Sequence, residues 1–76
     1  MKHLRPKDVK KLRELAGLSQ FELAREIGCD RSRVSLIEAG YQEASDEELN
    51  AILTTVRAAF QKRVHEFERL AGAEAA

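Results

Sequence analysis

The sequence predicts an all-α fold, a compact bundle of four to five helices that ends in a long C-terminal amphipathic helix. Three observations carry this. There is no period-2 run of Val, Ile, Thr or aromatic residues, no Asn-Gly or Asp-Gly hairpin, and only one Tyr and three Phe. Apolar residues recur at three- and four-residue spacing in the segments closed by Gly17, Gly28 and Gly40. From Ser45 no Gly or Pro intervenes until Gly72. The 76 residues, 43% hydrophobic and 34% charged, suffice for one small core and are too few for a second, so residues 1–76 are read as a single domain.

The first helix begins near Pro6, a residue suited to a first turn, and carries Val9, Leu12, Leu15 and Ala16 inward before Gly17 caps it. Lys7, Lys10, Lys11 and Arg13 form its other face. Ser19 with Glu22 three residues on is a capping box, so the second helix starts there and runs through Leu23, Ala24 and Ile27 to Gly28. Asp30 caps a third helix, residues 31–39, with Val34 and Ile37 inward and Gly40 as its terminator. After a polar turn, Ser45 opens the long helix, about residues 46–71, with Glu47 and Glu48 in its favourable first turn.

Along that helix Leu49, Leu53, Val56, Phe60, Val64 and Phe67 are spaced 3.6 residues apart on average, the period of a straight amphipathic face and not of a 3.5-repeat supercoil. Such a helix is about 39 Å long, whereas a compact chain of this size has a radius of gyration of about 11 Å. Either it kinks near Thr54-Thr55 or its end projects. In both cases Phe60, Val64, Phe67 and Leu70 need cover, and a second subunit is the simplest source. Residues 73–76 are expected to fray.

Composition narrows the function classes. No stretch approaches the roughly 18 apolar residues of a membrane span and no leader opens the chain, so a cytoplasmic protein is expected. Cys29 is the single cysteine, and with only His3 and His65 beside it neither a disulfide nor a four-ligand metal site can be assembled; no cofactor is expected. A core this small commonly leans on oligomerisation. Residues 1–33 hold nine Lys or Arg against five acids, and residues 34–76 hold four against eight. A basic first half suits an anionic partner, although ordinary surface variation produces such asymmetry too. Enzymatic chemistry lacks its parts. His65-Glu66 has no second histidine, Ser32 and Ser35 have no histidine near them, and no phosphate-cradling glycine loop exists. The acids at 46–48 read as helix-start charges, and Cys29 as a thiol beneath a turn.

The informative segment runs from Gln20 to Glu38, about residues 20–38, as two short helices crossing steeply around Gly28-Cys29-Asp30. Leu23 and Ile27 face Val34 and Ile37, Ala24 is small where the helices approach, and Gly28 supplies a left-handed backbone. In LRELAGLSQFELAREIGCDRSRVSLIEAG, the Leu-Arg, Gly-Leu-Ser-Gln, Leu-Ala, Ile-Gly, Val-Ser and Ile-Glu-Ala-Gly elements stand in the register of the lambda-repressor/Cro-like, or Xre-type, helix-turn-helix DNA-binding domains. The chain resembles that family from about Val9 to Val56, which implies a compact helix-turn-helix bundle.

By that resemblance the third helix lies in the major groove of double-stranded DNA, with Arg31, Ser32, Arg33 and Ser35 as base readers. Arg33 has a phosphate contact or a solvated side chain as its alternative. Gln20 resembles the family's backbone clamp, and Ser19, Arg13, Lys10 and Tyr41 are further candidates for phosphate contact. Against these stand plainer readings: Gln20 as a helix-start residue, the lysines as a solvated face, and Tyr41 as a packed loop aromatic. Leu36 stands where the family often has Arg, and can touch a thymine methyl, the long helix or another protein. Ala39, Tyr41-Gln42-Glu43 and Ala44 also depart from the family's basic loop.

Two functional readings follow. One is a sequence-specific transcriptional regulator, a repressor or autoregulator of bacterial or phage type, binding an inverted repeat as a homodimer. The other is a protein-interaction module, such as an antitoxin or a phage or mobile-element accessory factor, whose C-terminal helix engages a foreign protein partner.

Overall fold

A computed structural model describes residues 4–75, with side chains through residue 72. It is all-helical, with α1 (Pro6–Leu15), α2 (Gln20–Ile27), α3 (Arg31–Ala39) and α4 (Asp46–Ala75) in chain order. The helix ends from α1 to the start of α4 are satisfied locally. Pro6 occupies the first turn of α1, where the missing N–H has no helical partner to lose. At the other end, Gly17 at φ +76° lets Leu18 N–H donate to the Arg13 carbonyl and its own N–H to that of Glu14, which closes α1 with a Schellman motif.

The capping box expected at Ser19 is present: Glu22 N–H donates to Ser19 Oγ at 2.9 Å, and Ser19 N–H to Glu22 Oε1 at 2.8 Å. Asp30 accepts from Arg33 N–H at 3.0 Å. A second capping box opens α4, with Glu48 N–H donating to Ser45 Oγ at 3.0 Å and Ser45 N–H to Glu48 Oε1 at 2.9 Å. Gly28 at φ +81° turns the chain between α2 and α3, a conformation that costs an L side chain about 1–2 kcal/mol.

The core is built from Val9, Ala16, Leu23, Ala24, Val34, Ile37, Leu49, Ile52 and Val56, with Leu12, Leu18, Ile27, Cys29 and Ala59 packed at its edge. Two details differ from the sequence reading. Leu15 is 53% exposed, because α1 turns its Val9, Arg13 and Ala16 edge inward. In α4 the buried row is Leu49, Ile52 and Val56, with Leu53 only half-buried. The stripe continued by Phe60 and Val64 is therefore rotated off the core direction.

The open question of α4 resolves in favour of projection. The helix is unbroken over its 30 residues, about 45 Å at 1.5 Å per residue, and continues past the expected end at residue 71. Of the expected frayed segment, residues 73–75 are helical and residue 76 lies outside the described residues. The radius of gyration is 14.1 Å and the extents are 49 × 24 × 18 Å, so the molecule is a short bundle with a helical arm. Every residue from Phe60 to Gly72 is exposed. Among the described residues no helix is long and apolar enough to cross a membrane.

Candidate nucleic-acid interface

The burial of Val34 and Ile37 decides which face α3 presents. With those two inward, Arg31 and Ser32 are exposed, Ser35 and Leu36 are half-buried, and Ala39 is exposed near the helix end. Arg31 and Ser32 share a shallow depression with Phe21 and Arg25 of α2. Phe21 is 57% exposed, and the Arg25 guanidinium lies 5.5 Å from its ring centroid, a stacking that holds both side chains beside Arg31. Sequence reasoning missed this pair, whose only signal is a Phe and an Arg four residues apart on α2.

Arg33 is placed differently from its neighbours. Its Nε donates to Glu48 Oε2 at 3.0 Å and its Nη2 to Glu48 Oε1 at 2.6 Å. Nη1 donates to Gln42 Oε1, and Nη2 also reaches the Glu43 carbonyl at 3.1 Å. The guanidinium thus ties α3 to the following loop and to the start of α4. The Arg33 hydrogen bonds, with the Ser45 backbone N–H, hold the Glu48 carboxyl down at about 2. Arg33, expected as a base reader, makes these contacts with a side chain 29% exposed, because a carboxylate fixed by its own capping box offers it a bidentate partner. The sequence signal was Ser45 with Glu48 three residues later.

Arg13, expected on the phosphate-binding surface, is instead 8% exposed. Its Nε and Nη2 donate to the two oxygens of Glu38 at 2.6 and 3.0 Å, and its Nη1 to the Leu18 carbonyl at 2.8 Å. Gln20 Nε2 donates to the same carboxylate at 3.0 Å. Burial pushes the Glu38 carboxyl up, but the hydrogen bonds from Arg13 and Gln20 and the Arg13 charge outweigh it, and its pKa lies below the ordinary value. This knot joins α1, α2 and α3 and sets the half-buried Gln20 at the first turn of α2.

The remaining candidates stay on the surface. Lys10 and Ser19 are exposed, with Ser19 Oγ accepting the α2 capping bond, and Tyr41 is 81% exposed just after α3. Pro6 lies under Gly40, so the start of α1 borders the end of α3. Cys29 is half-buried and burial raises its thiol pKa. The described residues contain no group of His, Cys, Asp or Glu placed to hold a metal ion. Phe60, Val64, Phe67 and Leu70 line the arm at 45%, 41%, 66% and 57% exposure.

Residues 9–56 match the model of a helix-turn-helix family, the Xre and lambda-repressor-like type. No curated protein and no solved structure matches the chain.

Proposed function

The chain belongs to the helix-turn-helix family, a family of DNA-binding regulators, and on that premise we propose that it is a sequence-specific transcriptional regulator. It acts as a repressor or autoregulator in a bacterial or phage setting, in the cytoplasm, as a homodimer on an inverted repeat. The observation that carries this is the exposed face of α3, where Arg31 and Ser32 stand clear of the core and Arg31 has no ion-pair partner among the described residues. Placed in the major groove, Arg31 reads a guanine through two parallel hydrogen bonds, with Ser32 and Ser35 beside it. Gln20, Ser19, Lys10 and Tyr41 supply contacts to the flanking phosphates. Arg33 and Arg13 act from behind, holding the reading helix at its angle. Phe60, Val64, Phe67 and Leu70 form the subunit contact.

Selection of bound sequences from random duplex DNA at about 150 mM salt tests this, because specific affinity there separates base reading from charge attraction. An enriched palindrome is expected. Weak, salt-sensitive binding with no enriched sequence overturns it. The second reading, a module that captures a foreign protein, is favoured by one observation, the exposure of the whole arm from Phe60 to Gly72, and an unenriched selection shifts the weight there.

A further inference from the structure

We propose that Arg25 is a phosphate anchor on α2, that Phe21 is the positioning residue that holds its guanidinium, and that the pair meets the DNA backbone beside the base that Arg31 reads. This deepens the proposed function and rests on it.

Neither side chain serves the core. Phe21 is 57% exposed and Arg25 is exposed, whereas the residues that α2 buries are Leu23 and Ala24. Among the described residues no ion pair engages Arg25. Glu22, three residues before it, has its carboxylate on the Ser19 N–H at 2.8 Å. What Arg25 does have is a ring, its guanidinium carbon lying 5.5 Å from the Phe21 centroid. Such an attraction is to the π face of the ring and uses no hydrogen-bond acceptor, so the guanidinium N–H groups stay open to an oxyanion. An arginine already held against a ring also loses less rotamer freedom when it binds than one that is free in solvent.

Its place in the fold points to phosphate. Phe21, Arg25, Arg31 and Ser32 line one shallow depression between α2 and the start of α3. The acid on its rim, Asp30, accepts the Arg33 N–H at 3.0 Å as the cap of α3. The depression therefore offers two guanidinium groups against one carboxylate that is already engaged. In a helix-turn-helix docked on duplex DNA, the second helix of the motif reads base edges with its first residues while the first helix crosses the backbone. With α3 so placed, Arg31 and Ser32 face the bases, and Phe21 and Arg25, on the α2 side of the same depression, come onto the adjoining sugar-phosphate strand. A planar guanidinium there meets a phosphate with two parallel hydrogen bonds. Backbone contact by α2 then extends from Gln20 at its first turn to Arg25 one turn further on.

The test compares full-length variants on the duplex enriched by selection and on a random-sequence duplex, each titrated against salt. Arg25→Gln should weaken binding to both by about three- to tenfold at about 150 mM salt and reduce the salt slope by about one. Phe21→Leu should weaken both by about two- to fivefold, and Phe21→Tyr, which keeps the ring, should bind as the unchanged chain does. In the Arg25→Gln background Phe21→Leu should add nothing, since the ring acts through the guanidinium. Both positions are exposed, and the denaturant midpoint of each variant checks that the fold is intact. An additive loss in the double variant overturns the role of Phe21. A loss confined to the selected duplex overturns the anchor in favour of base reading. An enriched sequence together with an unchanged slope for Arg25→Gln overturns the anchor and leaves the DNA reading standing. A slope reduced by about one on random duplex, with no sequence enriched, supports the anchor and removes the sequence-specific reading.

Discussion

Two arginines two residues apart on α3 have different surroundings and should fail differently when removed. Arg31 is exposed and Arg33 is spent on Glu48, Gln42 and Glu43. Arg31→Ala should cost about 1–3 kcal/mol of specific binding and relax the sequence preference at one position. Arg33→Ala should leave the selected sequence unchanged while lowering the denaturant midpoint slightly. Parallel selection and denaturant titration separate the two, and equal losses on specific and random DNA for Arg31→Ala would remove it as a reader. Arg13→Ala should be the most damaging, by about 3 kcal/mol, because it leaves the Glu38 carboxylate, whose side chain is 4% exposed, with the Gln20 amide and without its charged partner. Both clamps also predict acid sensitivity. Glu48 and Glu38 have folded-state pKa values below the ordinary 4.5. Their contribution to stability is therefore complete above that pH and is lost as the pH falls through it towards about 2, the Glu48 value. A thermal midpoint that stays level to about pH 5 and then drops is expected, with the drop reduced in Glu48→Gln.

At the scale of elements, the caps explain why each helix begins and ends where it does. Gly28 isolates one such effect, since a Cβ there would meet nothing within 4 Å. Gly28→Ala should thus cost only the backbone strain of φ +81°, about 1–2 kcal/mol, read as a shift of the unfolding midpoint with DNA specificity intact. The second element to test is the arm. Because the last core-packed residue of α4 is Ala59, a chain ended after residue 60 should keep most of its unfolding free energy and lose self-association, as sedimentation would show. Helix boundaries were legible from Pro6, Ser19, Asp30, Gly28 and Gly40, whose effects are local. The inward face of α4 was not, since Leu49, Ile52, Leu53 and Val56 are apolar on both sides of the boundary between core and stripe.

For the whole molecule, the uneven charge and the projecting arm act together. The bundle carries the basic first half of the sequence and the arm extends away from it, giving the 49 Å long axis. Salt dependence should report the electrostatic part alone: Lys10→Ala is expected to weaken binding to all sequences similarly and to reduce the salt slope by about one. A titration of affinity against salt concentration checks this, and an unchanged slope would place Lys10 away from the phosphates.

The sequence by itself determined the helices, their caps, the glycine turn between α2 and α3, and the register that marks residues 9–56 as a helix-turn-helix. All of these follow from interactions between residues a few positions apart. Only the tertiary structure decided that Arg13 is buried on Glu38, that Arg33 is bound to Glu48, and that Phe21 and Arg25 stand beside Arg31. These pairings join residues on different helices, and a charged side chain reads the same in a sequence whether it faces solvent, DNA or a buried carboxylate. The continuity of α4 was decided there too, because an amphipathic period specifies an apolar face without specifying what covers it.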